Sequence, residues 1–428
     1  MELGSKMILE EEEEGEVVVR EYSESRDREL VGKLEKKCEV INNGGSRINR
    51  SKANSKSVSI STNTISDDPS CRIRLYTVRV MLVAELQGNG EVVGVVRGCI
   101  KNVYVKNTST TTANAGIGRR CVKLGCMLGL RVSPAHRRMG IGSKLVQSLE
   151  DWMAANGAQY ALLATEKTNT AAMNLFIAQR NYTILSSLVI YMCPISSKPK
   201  EQPQHIRTDK LLVDQAISFY EKRLKCKDVF PADISSILKE KLSLGTWISY
   251  FGKGVGTKGG ETNNLDFIEE EPSSWVIFSV WNTSEAYKLQ IRKSHEFKFF
   301  SSTLKQAYSK ILPCLKLPAQ SSVQEPFGFL FLYGLLGEGE RVGELIKHMW
   351  DFTARLAINL KDCRVVLTEL GATDPLREHV SLGPCTTCIN DVWCLKKLVR
   401  ISKYGEDRGE DLAGKRAAGN VFVDPRDF

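Results

Sequence analysis

Residues 124–146 read LGCMLGLRVSPAHRRMGIGSKLV, and this stretch decides the fold. Residues 124–132 are apolar at nearly every position, which is typical of a strand covered on both faces, and Ser133-Pro134 ends the run. Beyond the loop, apolar residues recur at helical spacing. Gly140 and Gly142 therefore lie at a strand-to-helix turn, where free N–H groups and the positive end of the helix dipole favour an anion.

Two arginines next to these glycines strengthen the prediction of a phosphate site. Arg137 and Arg138 can each hold phosphate oxygens through paired hydrogen bonds. A glycine-rich turn alone also occurs as a plain tight turn, so the glycines by themselves are weak evidence. The spacing fits neither a dinucleotide-binding fingerprint nor a P-loop. The stretch predicts a pyrophosphate site of another kind.

The motif V-x-P-x-x-R-x-x-G-x-G in this stretch resembles the acetyl-CoA signature of the GNAT acetyltransferases. Its members here are Val132, Pro134, Arg137, Gly140 and Gly142. The flanking segments 81–85, 92–99 and 161–166 resemble the second, third and fifth strands of that family. Phrases in both halves, such as EPFGFLFLYG and FVDPRDF, resemble the HOOKLESS-type group of plant probable N-acetyltransferases. The resemblance implies an α/β (α+β) fold, the GNAT acyl-CoA N-acyltransferase fold, with acetyl-CoA as the acyl donor.

The resemblance also implies a set of cofactor contacts. The backbone around Leu130 and Val132 would hold the pantetheine arm and direct an N–H group at the thioester carbonyl. Asn169 has two compatible interpretations, a cofactor contact or a helix cap ahead of residues 170–179. The full predicted set is Leu130, Val132, Arg137, Arg138, Met139, Gly140, Ile141, Gly142, Ser143, Asn169 and Phe176.

The catalytic acid and base are harder to assign. Glu166 and Glu85 each end a predicted strand, and either could act as the base if burial raises its pKa; Glu166 is preferred, and a plain surface carboxylate is the alternative for both. The family often has a tyrosine seven residues after the motif asparagine, but this chain has Phe176 there. Tyr182, Tyr160 or water could replace the missing acid, and packing in the core is the alternative for each tyrosine.

A length of 428 residues predicts two domains. The predicted parts are an acidic disordered tail at 1–15, a GNAT domain at 16–194 with flexible insertions at 42–68 and 106–118, a linker at 195–205, and a second domain at 206–428.

The second half repeats the order of elements seen around the glycine loop. An apolar run at 327–335, a Gly-rich turn, a helical pattern at 343–360 and a buried strand at 364–370 predict a degenerate GNAT-like unit. Glu338 and Glu340 stand where the two arginines would lie, so this half is predicted to bind no CoA. Residues 275–281 and 288–292 are predicted to form an antiparallel pair.

Composition excludes several classes of protein. No apolar stretch reaches the length of a membrane span, and the sequence start lacks the pattern of a secretory signal, so we expect an intracellular protein with reduced cysteines. The net charge of +9 is spread along the chain and predicts no direct nucleic-acid or membrane contact. Cys385, Cys388, Cys394 and His379 are potential zinc ligands, but their spacing fits no common zinc module, and no metal is predicted.

These observations favour an N-acetyltransferase that acts on an amine. The resemblance suggests histones or other proteins as acceptors, plant hormone-linked growth regulation, and a location in the nucleus or the cytoplasm. Two alternatives remain: a catalytically weak acetyl-CoA sensor or scaffold, favoured by Phe176 and the large second domain, and a chromatin regulator, favoured only by the positive charge. The oligomeric state is left open.

Overall fold

The computed structural model describes residues 16–41, 60–65, 68–106, 119–195, 203–252, 272–284, 286–293, 326–381, 387–398 and 418–428. The predicted acidic tail, most of both predicted insertions and most of the linker lie outside these residues. Within them, no helix is both long enough and apolar enough to cross a membrane.

The described residues form fifteen strands. They are β1 (Val17–Glu21), β2 (Ile60–Ile65), β3 (Val78–Leu86), β4 (Val92–Lys106), β5 (Arg119–Val132), β6 (Tyr160–Glu166), β7 (Thr183–Pro194), β8 (Ile206–Leu211), β9 (Val229–Pro231), β10 (Ser243–Phe251), β11 (Trp275–Asn282), β12 (Lys288–Lys293), β13 (Gly328–Glu338), β14 (Cys363–Gly371) and β15 (Thr387–Lys397). The α-helices are α1 (Glu24–Ile41), α2 (Ile141–Ala155), α3 (Thr170–Met173), α4 (Val213–Arg223), α5 (Ile234–Lys239), α6 (Val342–Ile358) and α7 (Arg377–Ser381).

One 13-stranded sheet runs through both halves of the chain, in the order β1-β3-β4-β5-β6-β15-β7-β14-β13-β11-β10-β8, with β9 paired to β4. Two neighbouring pairs are parallel, β5 with β6 and β13 with β14, and the remaining pairs are antiparallel. Parallel neighbours need a crossover, which α2 supplies in the first half and α6 in the second. The predicted α/β class is confirmed, and the repeated strand, turn, helix and strand of the second half are β13, α6 and β14.

The two halves share their central strands. β15, from the C-terminal half, lies between β6 and β7 and pairs with both, while β7 pairs on its other edge with β14. The sheet is therefore continuous across the predicted linker at 195–205. Domain limits read along the sequence do not predict this shared sheet, because the strand pairing joins segments about two hundred residues apart in sequence.

The predicted pairing of residues 275–281 with 288–292 is wrong. β11 lies between β10 and β13, whereas β12 pairs with β2, a strand within the predicted flexible insertion 42–68. β11 is buried almost throughout, so the backbone N–H and C=O groups along both of its edges need a neighbouring strand to pair with. The polar ISTNTI sequence of β2 instead forms a separate two-stranded ribbon with β12.

The sheet has two covered faces. The crossover face carries α2 over the first half and α6 over the second, each above its own apolar cluster. The opposite face, here called the shared face, has a single apolar cluster that extends over both halves and includes residues of α1, α4, α5 and segment 418–428. A ligand on the shared face can therefore contact both halves at once.

Candidate active site

The glycine loop places the start of α2 at the end of β5. Arg138 and Gly140 adopt left-handed backbone angles, with φ of 73° and 79°, and Gly140 is the N-cap, so no side chain caps the helix. Arg137 donates from Nε to the Val132 carbonyl at 3.4 Å, which ties the loop to the strand. The first N–H groups of α2 are thus left for a ligand, beside two exposed guanidinium groups.

The space in front of α2 suits a pyrophosphate group. A Cβ atom built on Gly142 would lie 3.7 Å from both Leu175 Cδ2 and Val132 Cγ2, which is ordinary contact, and one built on Gly140 would meet no atom within 4 Å. Among the described residues, therefore, no side chain fills the position that a Cβ atom of Gly140 or Gly142 would take. A side chain longer than a methyl group at residue 142 would occupy this space. The residues present fit the phosphate groups of acetyl-CoA.

A cleft opens between β5 and β6 below the loop. The two strands pair only from Leu124 to Met127 and from Tyr160 to Leu163. Gly129, with φ of 62°, lies where β5 shifts its register against β4, and the strand leaves β6 from that point. Beyond Met127 and Leu163 the two strands no longer pair with each other, so an extended amide-containing chain such as pantetheine can lie between their facing edges.

A cavity of about 1290 Å³ joins the loop, the cleft and the shared face. The structure brings most of the predicted residues to it: Leu130, Val132, Arg137, Arg138, Gly140, Ile141, Gly142, Ser143, Glu166, Asn169 and Phe176. Met139 is 41% exposed and does not line the cavity, since it points to solvent from the loop.

The structure does not bring Glu85 to this cavity, which corrects its prediction as a base. Its carboxylate accepts a hydrogen bond from Arg20 Nε at 2.6 Å and lies 3.8 Å from Arg26. It stands on β3, opposite Val18 of the edge strand β1. Glu85 therefore belongs to a surface ion-pair group at the edge of the sheet.

Tyr182 also lies away from the cavity, which corrects its prediction as an acid. Its side chain is 2% exposed, and its hydroxyl donates to Glu150 Oε1 at 2.9 Å. Burial and the Glu150 carboxylate raise the pKa of Tyr182 far above its ordinary value. The Glu150 carboxylate is held in turn by Arg180 and Lys396, at 2.6 and 2.7 Å. Tyr182 is a core residue beneath α2.

Asn169 and Phe176 both line the cavity. Asn169 Oδ1 accepts a hydrogen bond from the Ala172 N–H at 3.1 Å, so the predicted helix cap is confirmed. Phe176 is buried and packs edge-to-face on Tyr182 with ring centres 5.3 Å apart. It therefore presents carbon atoms to the cavity at the position where the family resemblance predicted a tyrosine hydroxyl.

Two carboxylates that the sequence analysis missed line the far end of the cavity, Glu369 on β14 and Asp391 on β15. Asp391 is directly opposite Glu166 in the sheet. Burial and the Asp391 and Asp427 carboxylates raise the pKa of Glu369 well above its ordinary value, and burial and Glu166 raise the pKa of Asp391 to about 7. A signal was present in the sequence, since each is an acidic residue in or beside an apolar strand.

The raised pKa of Asp391 predicts an effect on stability. The folded protein binds the Asp391 proton more tightly than the unfolded chain does. The contribution of this proton to the free energy of unfolding is therefore fully present below the unfolded pKa of 3.8 and is lost as the pH rises through the folded pKa of about 7. We therefore expect Asp391→Asn to be more stable than the wild type at pH 8, by about 1–3 kcal/mol, and the two proteins to converge at pH 4. Urea unfolding at both pH values measures this, and an equal difference at both would contradict it.

The start of α6 differs from the start of α2. Arg341 Nε and Nη2 both donate to the Glu344 carboxylate at 2.8 Å, and the guanidinium lies 3.7 Å from the centre of the Phe251 ring. Glu338, at the end of β13, lies 3.5 Å from Arg223. A carboxylate in the first turn already uses the positive end of this helix. These contacts agree with the prediction that the second half binds no CoA, which stays a prediction.

The potential zinc ligands are not all described. The Cys385 backbone and the Cys388 side chain lie outside the described residues. Cys394 is a free thiol, fully buried in the apolar cluster beneath α2.

Comparisons with known proteins show which chains this one resembles. Residues 62–181 match the Acetyltransferase (GNAT) family. The chain is 36% identical to the Arabidopsis thaliana protein named probable N-acetyltransferase HLS1, over 96% of this chain and 100% of that one. It is 28% identical to acetyl transferase GW6a of Oryza sativa subsp. japonica, over 96% and 97% of the two chains. Among solved structures, Saccharomyces cerevisiae N-myristoyltransferase with bound myristoyl-CoA has a TM-score of 0.49 at 9% identity, covering 95% of this chain and 85% of that chain.

Proposed function

The chain belongs to the GNAT acetyltransferase family, and from this premise we propose that it transfers the acetyl group of acetyl-CoA to an amine on a protein. Its membership makes it an N-acetyltransferase with acetyl-CoA as the donor. The observation that carries the proposal is the cavity itself. It runs from the uncapped start of α2, through the cleft between β5 and β6, to carboxylates on the shared face.

Each step of the transfer has a group in this chain that can serve it. The first N–H groups of α2, with Arg137 and Arg138, bind the pyrophosphate. The backbone N–H groups near Leu130, where β5 no longer pairs with β6, would orient the thioester carbonyl and stabilise the charge that develops on its oxygen. Glu166, at the end of β6, faces the cavity and can accept a proton from the acceptor amine. Acetyl-CoA supplies the electrophilic carbonyl carbon when it is bound.

The proposal extends to lysine side chains of histones or other proteins as acceptors, and to a role in growth regulation in the plant nucleus. The absence of a strongly basic patch in the sequence favours a protein partner over direct contact with DNA. Acetylation of core histones and of cytosolic extract proteins with radiolabelled acetyl-CoA compares the two pools of acceptors.

A second function, an acetyl-CoA sensor or scaffold without turnover, is favoured by one observation. Phe176 has no hydroxyl, and neither of the two candidate replacements, Tyr182 and Tyr160, lines the cavity; Tyr182 donates its hydroxyl to Glu150. Water would then have to protonate the leaving sulfur.

Calorimetric titration of acetyl-CoA into the full-length protein tests the proposal, with release of free CoA followed in the same sample after core histones are added. We expect micromolar binding, which corresponds to about −8 kcal/mol, followed by CoA release that depends on the acceptor. Binding without release for any protein acceptor would favour the sensor. Absence of binding would overturn both functions.

A further inference from the structure

The end of the cavity farthest from the glycine loop is acidic, and the C-terminal half supplies most of it. Asp391 of β15 is directly opposite Glu166 of β6. Glu369 of β14 is opposite Ile190 of β7, which is itself opposite Ile389, two residues before Asp391 on the same strand. Because side chains alternate along a strand, all three carboxylates project onto the shared face. We call Glu166, Asp391 and Glu369 the acidic end.

Two of these carboxylates have oxygen atoms without a partner in the part of the chain that the structure describes. Glu369 is only 7% exposed, and its Oε1 atom has no hydrogen bond. Asp391 Oδ1 is likewise buried without a hydrogen-bond partner. A buried carboxylate without a donor is costly, so this arrangement points to a ligand that brings donors with it.

Several described cations around the shared face have other partners. Arg72, which lines the cavity, donates from Nη2 to the Asp427 carbonyl oxygen, although its Nε has no partner among the described residues. Lys101 is paired with Asp424 and Asp427, and Lys396 with Glu150. Lys227 donates to Asp374 at 2.6 Å. No described ion pair involves Asp391 or Glu369. Within the described residues, the charge of these two carboxylates is therefore left for a ligand to balance.

The two ends of the cavity have opposite charge. Arg131, Arg137 and Arg138 line the end where the phosphates of acetyl-CoA would lie. An anionic donor and a cationic acceptor would each be drawn to its own end, with the cleft between β5 and β6 joining them.

We propose that the acidic end is the acceptor subsite, that it takes a protonated primary amine such as a lysine side chain, that Asp391 and Glu369 bind this amine, and that Asp391, in place of Glu166, accepts its proton. This inference rests on the proposed function and adds to it the charge class of the substrate and two residues of the C-terminal half. The second half would then serve the reaction without a cofactor site of its own.

The proton balance follows from the charges. The ammonium group gives one proton to the Asp391 carboxylate and becomes a neutral amine. Its nitrogen bonds to the acetyl carbon, the carbon–sulfur bond breaks, and a second nitrogen proton goes to the departing sulfur through water. Asp391 returns its proton to solvent before the next cycle.

The environment of Asp391 suits this task. The titratable groups that face it are Glu166 from β6, Glu369 from β14 across β7, and Asp427 from segment 418–428 at the cavity wall. The strand between, β7, presents Leu188 and Ile190. Burial and the negative charge of the neighbouring Glu166 carboxylate favour the protonated form and raise the pKa of Asp391 to about 7. A carboxylate with a pKa near neutral can act as a base at physiological pH.

Binding of two matched amides to the CoA-saturated protein tests the subsite without turnover. The probes are Nα-acetyl-lysine amide and Nα-acetyl-norleucine amide, which differ by the ammonium group, and calorimetry measures both. We expect the wild type to prefer the lysine probe by about tenfold. The preference should vanish in the double variant Glu369→Gln, Asp391→Asn, and should fall in Asp391→Asn alone, while CoA affinity is unchanged.

Controls separate the outcomes. Glu338→Gln removes another strand-end carboxylate of the C-terminal half, 62% exposed, and should keep the preference. Unchanged CoA affinity reports that each variant is folded. If the double variant does not fold, the lysine preference of Asp391→Asn alone decides the test. A wild type without preference, or variants that keep it, would overturn the subsite. If the preference behaves as expected but no acetyl group reaches the lysine probe or a histone, the subsite stands and the proposed transferase function fails.

Discussion

Gly142→Asp is expected to raise the dissociation constant for acetyl-CoA at least a hundredfold, about 2.8 kcal/mol. Gly142 is in the first turn of α2, where the backbone faces the cavity. An aspartate there fills the space in front of the first N–H groups and places a negative charge where the phosphates would bind. Calorimetric titration of acetyl-CoA measures the loss.

Two matched variants make this result specific. Gly142→Ala adds only a methyl group, which would lie 3.7 Å from its nearest neighbours, so it reports the effect of volume without charge. Gly32→Asp makes the same chemical change on α1, where a built Cβ meets no atom within 4 Å, and should leave the affinity unchanged. A folded Gly142→Asp protein with wild-type affinity would show that the phosphates bind elsewhere.

Arg426→Met is expected to reduce the free energy of unfolding by about 3–5 kcal/mol. Arg426 is 5% exposed and donates to Asp424 at 2.7 and 2.9 Å and to Asp233 at 2.8 and 3.0 Å. Removing the guanidinium leaves the Asp424 carboxylate, which is 1% exposed, with the Arg426 backbone N–H at 3.1 Å and, among the described residues, one cation, Lys101 at 3.4 Å. Urea denaturation at pH 7 measures the loss.

The size of this effect depends on burial, which a second pair of variants tests. Arg341→Met breaks an exposed bidentate pair with Glu344 and should lower the free energy of unfolding far less than Arg426→Met does. Adding Asp424→Leu to Arg426→Met removes the uncompensated charge and should restore part of the lost stability. Equal losses for Arg426→Met and Arg341→Met would contradict the assignment of a buried ion pair.

The same pair predicts acid sensitivity. Burial acts to raise the pKa of Asp424, but Arg426 and Lys101 outweigh it and hold the pKa well below its ordinary value. The stabilisation is therefore present above the unfolded value of 3.8 and is lost as the pH falls below it.

The sequence was sufficient to predict those features whose interacting residues are close together along the chain. The run ending at Val132, the glycine turn and the apolar stripe of α2 follow one another along the chain, so the loop and its direction could be predicted from spacing alone. Asn169 could be predicted as a cap for the same reason, since its partner is Ala172.

What the sequence could not supply is sheet register between distant segments. Glu166 was predicted as a site residue, but its neighbour Asp391 is separated from it by more than two hundred residues, and only the pairing of β15 with β6 brings them together. The position of a residue at the end of a strand also does not predict whether its side chain faces the cavity. Glu85 and Glu166 both lie at the ends of strands, yet Arg20 holds the first at the sheet edge.

The shared central strands have a consequence for how the molecule forms during synthesis. The N-terminal half leaves the ribosome long before Thr387–Lys397, so β6 must wait with one edge unpaired until β15 arrives. β7 must wait with both edges unpaired, because its two neighbours, β14 and β15, are both made later. Such late, long-range pairing slows folding and exposes strand edges that can pair with other chains. We therefore expect the nascent protein to depend on chaperones. A gene split at residue 200 should yield two fragments that are insoluble when made separately and that recover acetyl-CoA binding when made together.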